Sequence, residues 1–476
     1  MRRTKIVCTI GPASNNEETM AMMLESGMNV ARLNFSHGTH EEHKKTIDRF
    51  RKVRDKMEVS AAVMLDTKGP EIRLRLFENG GVTLKEGDTF ILTTEEITGN
   101  EERVSISYKE LPSQVYEGIR ILLDDGKLSM IVKETTEKEI VCTVENGGEL
   151  KNRKSINIPN FPLDMPYLSD ADKADLLFGI ENDVDYVAAS FVRSRADVVA
   201  LRKFLDYNGG HDIKIIAKIE NMQGVADFDN ILAAADGIMV ARGDMGVEID
   251  FEKLPGLQKR FIRQCYQAGK IVITATQMLE SMISSRTPTR AEISDVANAV
   301  FDGTSAIMLS GETAMGIDPP NVVRVMSKIA RQAENDAIAL EAYAKYRYEV
   351  DYADTTNAIC DAACTTARDL KAEAIIAVTK SGYTARLVSK FRPSQLIIAT
   401  TPETKVFHQL SMSWGVVPVL ALEQADTEKL FRHAIDCAKQ IDAVKSGDTV
   451  VITGGIPLSV NGTTNTLKVE TVDQRY

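Results

Sequence analysis

Cysteine and histidine are scarce in this chain of 476 residues, which has only six of each. The cysteines stand at positions 8, 142, 265, 360, 364 and 437, and no two of them form a Cys-x-x-Cys pair. No cysteine–histidine set has zinc-finger spacing either. These absences argue against a disulfide-stapled or zinc-stabilised protein, and they favour reduced thiols in the cytoplasm.

Long apolar runs and an excess of positive charge are also absent. No stretch reaches the roughly 18 apolar residues that a membrane span needs, and the N-terminal MRRTKIVCTIGPAS is too short in apolar residues for a signal peptide. Lysine and arginine total 57 against 68 acidic residues, a net charge of −11, which argues against nucleic-acid or membrane binding. With 43% hydrophobic residues and 14 prolines, we expect a soluble globular protein of several domains.

Eight short apolar runs alternate with helical segments, which is the pattern of a (β/α)8 barrel. The runs are 4–10, 28–35, 61–66, 184–191, 213–220, 237–242, 270–276 and 305–310. Between the third and fourth runs, residues 70–159 alternate apolar with polar residues around Gly-Asp and Asp-Gly turns. This texture predicts a small all-β domain, a β-barrel lid, inserted into a barrel that spans 1–69 and 160–345.

A second α/β pattern follows a polar, tyrosine-rich passage at 341–356. Apolar runs at 372–379, 395–401, 416–422 and 448–455 alternate with helical segments, and a last strand is expected near Leu467. We therefore predict a C-terminal open α/β domain over 346–476, with a mostly parallel sheet and an antiparallel last strand.

Polar residues collect where the predicted barrel strands end, which is where barrel enzymes have their active sites. Strand by strand they are Arg32, Asn34, Ser36 and His37; Asp66, Thr67 and Lys68, running on to Glu71 and Arg73; Lys218 and Glu220; Arg242, Gly243 and Asp244; Thr276 and Gln277; Ser310, Gly311 and Glu312. Side chains alternate along a strand, so Lys218 and Glu220 share one face. Six such ends together indicate an active site rather than an isolated ion pair.

The residue types at these ends predict the chemistry. Glu220, Asp244 and Asp66 are hard oxygen ligands, which suit Mg²⁺ or Mn²⁺ better than zinc. Arginines and lysines at the same ends point to a substrate with several negative charges, phosphate first. We expect a turn at Gly243–Asp244 whose N–H groups could face a carboxylate or phosphate. Phosphoryl transfer and enolate stabilisation both require such a set.

Seven motifs closely resemble signatures of the pyruvate kinase family, in the same order and domain context. They are CTIGPAS, NVARLNFSHG, LDTKGPEIR, AKIEN, MVARGDMGVE, TATQMLESM and DVANAVFDGTSAIMLSGETA. The resemblance covers essentially the whole chain. It implies Mg²⁺- and K⁺-dependent phosphoryl transfer from phosphoenolpyruvate to ADP, giving pyruvate and ATP in the final step of glycolysis.

The resemblance also implies roles for residues at matching positions. Glu220 and Asp244 would bind the divalent metal, and Lys218 would neutralise the transferring phosphoryl group and the enolate. Arg32 would clamp the phosphoryl group, while Gly243, Asp244 and Thr276 would hold the substrate carboxylate. A water relay through Thr276, Ser310 and Glu312 could protonate the enolate.

Further sites follow from the same resemblance. Asn34, Ser36, Asp66 and Thr67 look like the family's potassium site, and Glu71 matches the potassium-dependent members, although Leu74 departs from their usual Thr. The nucleotide contacts implied are Asn34, His37, Arg73 and Lys154, with the insert acting as a lid that excludes water.

A possible effector site lies in the C-terminal domain. Thr379, Ser381, Gly382 and Thr384 follow a predicted strand and open a helix, which suits a phosphate. The resemblance implies a sugar-phosphate effector there, covered by the loop 454–464, and a homotetramer. Two alternatives stay open: a catalytically silent sugar-phosphate-binding relative, and a metal-dependent aldolase or lyase acting on a pyruvate enolate.

Overall fold

The computed structural model describes residues 1–159, 161–340, 354–456 and 464–474. No helix within these ranges is long and apolar enough to cross a membrane. Most of the tyrosine-rich passage, 341–353, and residues 457–463 of the predicted effector-covering loop lie outside the described residues.

The chain begins with three barrel strands and two helices. In order they are β1 (Lys5–Thr9), α1 (Glu17–Ser26), β2 (Val30–Asn34), α2 (His40–Lys56) and β3 (Ala62–Asp66). Helix α1 begins after Asn16, whose side chain accepts a hydrogen bond from Thr19 N, and ends at Gly27 with a left-handed φ of 117°. A capping box between Thr39 and Glu42 starts α2. These signals fix the helix ends and return the chain to the next strand.

The segment between β3 and the rest of the barrel folds as a separate β unit. Its elements are β4 (Ile72–Arg73), β5 (Gly81–Leu84), β6 (Thr89–Thr93), β7 (Arg103–Ser105), α3 (Leu111–Gln114), β8 (Arg120–Leu123), β9 (Leu128–Thr135), β10 (Glu139–Asn146), β11 (Gly148–Lys151) and β12 (Ser155–Asn157). A seven-stranded sheet has the order β4-β12-β8-β9-β10-β6-β7, and β5 pairs with β11. Its inward-facing residues form a core of their own.

The chain then completes the barrel. The elements are α4 (Asp170–Glu181), β13 (Tyr186–Ala189), α5 (Arg195–Tyr207), β14 (Lys214–Ile219), α6 (Met222–Ala226), α7 (Phe228–Ala234), β15 (Gly237–Ala241), α8 (Arg242–Glu248), α9 (Leu254–Gln267), β16 (Ile271–Ala275), α10 (Arg290–Phe301), β17 (Ala306–Leu309), α11 (Gly311–Ala314) and α12 (Pro319–Ala339). All eight barrel strands pair in parallel, and β17 closes onto β1 with Lys5 opposite Ala306.

The C-terminal part is a five-stranded sheet with helices on its faces. Its elements are α13 (Thr355–Asp369), β18 (Ala374–Val378), α14 (Tyr383–Lys390), β19 (Leu396–Thr401), α15 (Thr404–Gln409), β20 (Val416–Leu420), α16 (Thr427–Gln440), β21 (Thr449–Gly454) and β22 (Thr466–Thr471). The strand order is β20-β19-β18-β21-β22, and only β22 runs antiparallel to its neighbour.

This C-terminal domain closes the amino end of the barrel. Met412, in a short 3₁₀ turn after α15, packs among the residues that fill the barrel interior. Tyr186 donates a hydrogen bond from its hydroxyl to Gln409 O at 2.6 Å, and Gln409 Nε2 donates to Asp212 O at 2.7 Å. The opposite end of the barrel, where the strands have their carboxyl ends, holds the candidate active site described below.

The predicted fold class is confirmed, including the antiparallel last strand. All eight predicted apolar runs contain a barrel strand. One local prediction is wrong: Gly243 and Asp244 lie in the first turn of helix α8, which starts directly after β15, rather than in an irregular turn. The domain boundaries at 69/70, 159/160 and 345/346 stay predictions.

Candidate active site

An ion network lies at the carboxyl ends of β2, β3 and β14. Arg32 Nε lies 2.6 Å from Asp66 Oδ2, and Lys218 Nζ lies 3.1 Å from Asp66 Oδ1. All three side chains are buried. Burial would raise the pKa of Asp66, but Arg32 and Lys218 outweigh it and hold that pKa below its usual value. Asp66 therefore stays a carboxylate that orients both cations.

Lys218 also faces Glu220, as the strand alternation predicts. Lys218 Nζ lies 3.1 Å from Glu220 Oε1. Burial lowers the pKa of Lys218, yet the carboxylates of Asp66 and Glu220 prevail and raise it. The ammonium is therefore charged at any ordinary pH, which suits a group that must neutralise phosphate or an enolate.

Glu220 has the features of a cation ligand. Its side chain is 0% exposed, and burial raises its pKa to about 7 against the opposing effect of Lys218. Oε2 accepts a hydrogen bond from Phe191 N at 2.6 Å, but the buried Oε1 makes no hydrogen bond. Asp244, in the first turn of α8, has no side-chain hydrogen bond or ion pair among the described residues, and its charge adds to the raised pKa of Glu220. Two neighbouring carboxylates, of which Glu220 has only the Lys218 ammonium beside its Oε1, fit Mg²⁺ or Mn²⁺.

The end of β16 is backbone-strained and tied to α8. Thr276 and Gln277 have φ values of 68° and 55°, a region that β-branched residues rarely adopt. Thr276 Oγ1 accepts a hydrogen bond from Gly243 N at 2.8 Å. Arg242 donates to Ala275 O and Thr276 O and pairs with Asp295 at 2.7 Å. The Gly243 N–H group therefore already makes a hydrogen bond, and this bond positions the Thr276 hydroxyl.

The residues of the predicted potassium site lie on neighbouring strand ends. Asn34 and Asp66 are register partners on β2 and β3, and Ser36 N donates to Asn34 Oδ1 at 3.1 Å. Thr67 O accepts from Ser190 Oγ at 2.7 Å. The four residues thus lie at the adjacent carboxyl ends of β2 and β3.

Of the predicted nucleotide residues, Arg73 lines the space between the insert and the barrel. A cleft of about 1050 Å³ is bordered by residues of both, among them Ser36, Lys68, Glu71 and Arg73. Arg73 Nη2 lies 2.9 Å from Glu71, and burial raises the pKa of that carboxyl. Lys154 pairs with Asp124 at 2.7 Å rather than with a residue of the barrel. His37 is exposed, and its carbonyl accepts from His43 Nε2.

The predicted proton relay gains no support from its contacts. Both oxygens of Glu312 accept backbone hydrogen bonds, from Leu279 N at 3.1 Å and from Ser310 N at 2.6 Å. Thr276 Oγ1 donates to Ala275 O at 2.6 Å. These contacts hold the ends of β16 and β17 in place, and the water relay stays a prediction.

The predicted effector residues surround a small cavity in the C-terminal domain. A space of about 100 Å³ is lined by Thr379, Ser381 and Thr384, together with Lys380 and residues of the neighbouring strand ends. Gly382 has a φ of 78° and precedes α14, and Thr384 Oγ1 lies 2.8 Å from Thr464 Oγ1. The four positions thus form one loop and helix start.

Sequence reasoning missed the turn after β13. Ser190 Oγ accepts a hydrogen bond from Lys218 Nζ at 2.7 Å, the shortest contact of that ammonium, and Phe191 N holds Glu220. Phe191 has a φ of 53°, which is unusual for an aromatic residue. The run VDYVAASF offers a signal, because Ser190 directly follows a buried strand, one position after Ala189, which pairs with Ala217 just before Lys218.

These features are those of a class: (β/α)8 barrel enzymes that group cationic and acidic side chains at the carboxyl ends of their strands. Two family models match the chain, "Pyruvate kinase, barrel domain" over residues 1–323 and "Pyruvate kinase, alpha/beta domain" over residues 357–470. The chain belongs to the pyruvate kinase family, and it is accordingly a phosphotransferase.

Individual relatives agree along the whole length. A pyruvate kinase of Clostridium acetobutylicum is 46% identical over 474 residues, covering 99% of this chain and 100% of the relative. One of Geobacillus stearothermophilus is 46% identical and is covered over 80% of its length. The crystal structure of a pyruvate kinase from Cryptosporidium parvum superposes with a TM-score of 0.92 at 42% identity, covering 99% of this chain and 96% of that one.

Proposed function

We propose that this chain transfers the phosphoryl group of phosphoenolpyruvate to ADP, with the strand-end residues described above as its active site. The bond between phosphorus and the enol oxygen breaks, a bond to a terminal oxygen of ADP forms, and the enolate takes up a proton to give pyruvate. The observation that carries the proposal is the buried cluster of Lys218, Arg32, Asp66 and Glu220 at the carboxyl end of the barrel.

Each residue has a task that its contacts support. Arg32, fixed by Asp66, can clamp a phosphoryl group with its remaining guanidinium N–H groups. Lys218 can offset negative charge on the phosphoryl group and on the enolate oxygen. Thr276, held by Gly243 N–H, can orient the substrate carboxylate together with Gly243 and Asp244.

Glu220 and Asp244 would hold Mg²⁺ or Mn²⁺, which supplies charge neutralisation and a template for the substrate when bound. Asn34, Ser36, Asp66 and Thr67 would hold K⁺ with side-chain and carbonyl oxygens. Arg73, which lines the cleft beneath the insert, would contact the nucleotide together with His37, Asn34 and Lys154. The size of that cleft supports a lid that closes over ADP.

Regulation and assembly belong to the same proposal. The cavity at Thr379, Ser381, Gly382 and Thr384 would take a sugar phosphate, and the chain would act as a cytoplasmic homotetramer. A silent relative is disfavoured because Arg32, Asp66, Lys218 and Glu220 are all present and in contact. An aldolase or lyase would have no use for the inserted domain above the cleft.

Substitution of Lys218 tests the assignment. Lys218→Met should lower kcat at least about 1000-fold, because no other ammonium faces Asp66 and Glu220 among the described residues. Lys214→Met is the matched control, since Lys214 starts the same strand at its opposite end. The measurement is steady-state pyruvate formation, with circular dichroism to check folding. Near-normal turnover in folded Lys218→Met would contradict the assignment.

A further inference from the structure

The turn that follows β13, residues 190–193, contacts both the catalytic cluster and the two chain segments that lead into and out of the insert. On the catalytic side, Lys218 Nζ donates to Ser190 Oγ at 2.7 Å, and Phe191 N donates to Glu220 Oε2 at 2.6 Å. This one turn therefore touches both the proposed charge-neutralising ammonium and a proposed metal ligand.

Ser190 is oriented so that its hydroxyl must accept from Lys218. Its Oγ lies 2.7 Å from Thr67 O and 3.2 Å from Asp66 Oδ1, both of which can only accept a hydrogen bond. The hydroxyl proton points to one of them, so the lone pairs face the ammonium. Ser190 N donates to Thr67 Oγ1 at 3.1 Å, which fixes the residue from its backbone too.

The segment that leads into the insert packs on the same turn. Gly69 has a φ of 71°, and a β-carbon there would lie 2.8 Å from Ser190 O and 3.1 Å from the Phe191 ring. Only glycine fits at that distance. Gly69 N also donates to Asp172 Oδ1 at 3.1 Å, which ties this segment to α4.

The segment that leads out of the insert reaches the turn by hydrogen bonds. Tyr167, which is buried, donates from its hydroxyl to Ser190 O at 3.1 Å. Arg193 donates to Met165 O at 2.9 Å and to Leu163 O at 3.3 Å. The Ser190 carbonyl is thus the point where both connections of the insert converge.

We infer that Ser190 and Tyr167 are positioning residues, and that the 190–193 turn transmits the position of the insert to Lys218 and Glu220. A displacement of either connecting segment would move the Ser190 carbonyl. The same peptide unit carries the Phe191 N–H that holds Glu220, and Ser190 itself carries the hydroxyl that holds Lys218. Closure of the insert over a nucleotide would therefore align the ammonium and the metal carboxylate in the same motion. This inference rests on the proposed roles of Lys218 and Glu220.

The test uses the full-length chain and four variants of this turn. Ser190→Ala should lower kcat about 10- to 100-fold while KM for phosphoenolpyruvate stays within about threefold, and Ser190→Thr, which keeps the hydroxyl, should restore most of the activity. Tyr167→Phe should lower kcat about 3- to 10-fold. The double variant should lose less than the product of the two single losses, because both act through one peptide.

The matched control is Tyr186→Phe, which removes a buried hydroxyl bonded to Gln409 O at the far end of the barrel and should leave kcat unchanged. Unchanged kcat in Ser190→Ala, failure of Ser190→Thr to restore activity, or strictly multiplicative losses in the double variant would each overturn the inference. Lys218→Met is assayed alongside to distinguish a failure of this inference from a failure of the proposed function. If Lys218→Met remains active, the role proposed for Lys218 is wrong, whatever the Ser190 variants show.

Discussion

Thr276 illustrates how one residue combines backbone strain with a substrate-facing hydroxyl. A positive φ at a β-branched residue costs about 1–3 kcal/mol, and the surrounding contacts must hold it. Arg242 supplies such contacts, because its guanidinium donates hydrogen bonds to Ala275 O and Thr276 O, the carbonyls before and after the strained Thr276 φ angle. The result is that Thr276 Oγ1 faces Gly243 N at 2.8 Å, at the place proposed for the substrate carboxylate.

Thr276→Val should raise KM for phosphoenolpyruvate and lower kcat/KM about 10- to 100-fold. Valine keeps the branched shape, so the change removes the hydroxyl and leaves Gly243 N–H without its acceptor. Steady-state kinetics over phosphoenolpyruvate concentration measures the effect. Thr274→Val serves as the control, because Thr274 lies inside β16 and bonds only to Thr304 among the described residues. A kcat/KM equal to that of the control would rule out the role of Thr276.

At the scale of elements, helix α15 joins the C-terminal domain to the amino end of the barrel. Lys405, near its start, pairs with Asp183 and donates to Val184 O at 2.8 Å, while Ser60 donates to Phe407 O at 2.8 Å. His408, on the same helix, is 8% exposed. Burial, aided by Arg54, lowers the pKa of His408 from 6.5 to about 4.

This histidine should make the interface acid-sensitive. Because its folded pKa is depressed, its contribution is fully present above pH 6.5 and is lost as the pH falls towards about 4. With an allowance for solvent screening, the loss is on the order of 2 kcal/mol. His408→Gln cannot take up that proton, so its melting temperature should fall less than that of the native chain between pH 7.5 and pH 5.

Differential scanning calorimetry at the two pH values measures this, with the exposed His211→Gln as the control. The protonation of Asp185, whose pKa burial raises to about 6, acts in the opposite direction over the same range and is common to all three proteins. Equal shifts in melting temperature for His408→Gln and the native chain would show that His408 does not titrate as described.

The sequence predicts best those elements whose apolar residues follow a clear pattern. Each barrel strand is a run of buried residues such as Ile215 to Ala217, which leaves little choice of conformation. The alternation that places Lys218 beside Glu220 is a property of the strand itself, and the 3.1 Å contact follows from it. Short elements are less predictable: α8 begins directly after β15, at Arg242, whose side chain donates to Ala275 O at the end of β16, a contact between segments distant in sequence.

The same reason explains why Ser190 and Tyr167 were missed. Neither residue carries a charge, and each gains its importance only from groups brought together by folding, such as Lys218, Thr67 and the connections of the insert. Residue type and spacing can identify the charged groups of this site. They cannot identify the neutral groups that orient them, because a serine at a strand end is common in any fold.

At the scale of the whole molecule, the chain separates three tasks. The barrel holds the ion network, the insert has its own hydrophobic core and borders the cleft, and the C-terminal domain closes the barrel's other end and holds the effector-like cavity. Because the insert has a separate core and both of its connections contact Ser190, it meets the requirement of the proposed lid, which must move as a unit. The arrangement suits a reaction in which a nucleotide must be covered before transfer.

The most direct test of the account is pyruvate formation from phosphoenolpyruvate and ADP by the purified chain, with Mg²⁺ and K⁺ supplied together, singly or not at all. We predict turnover that requires the divalent cation and is strongly raised by K⁺, since Glu220 and Asp244 are the proposed ligands of the first and Asn34, Ser36, Asp66 and Thr67 those of the second. Turnover at the full rate with Mg²⁺ alone would contradict the proposed potassium site. No turnover in any condition, even with a sugar phosphate added, would contradict the proposed phosphoryl transfer itself.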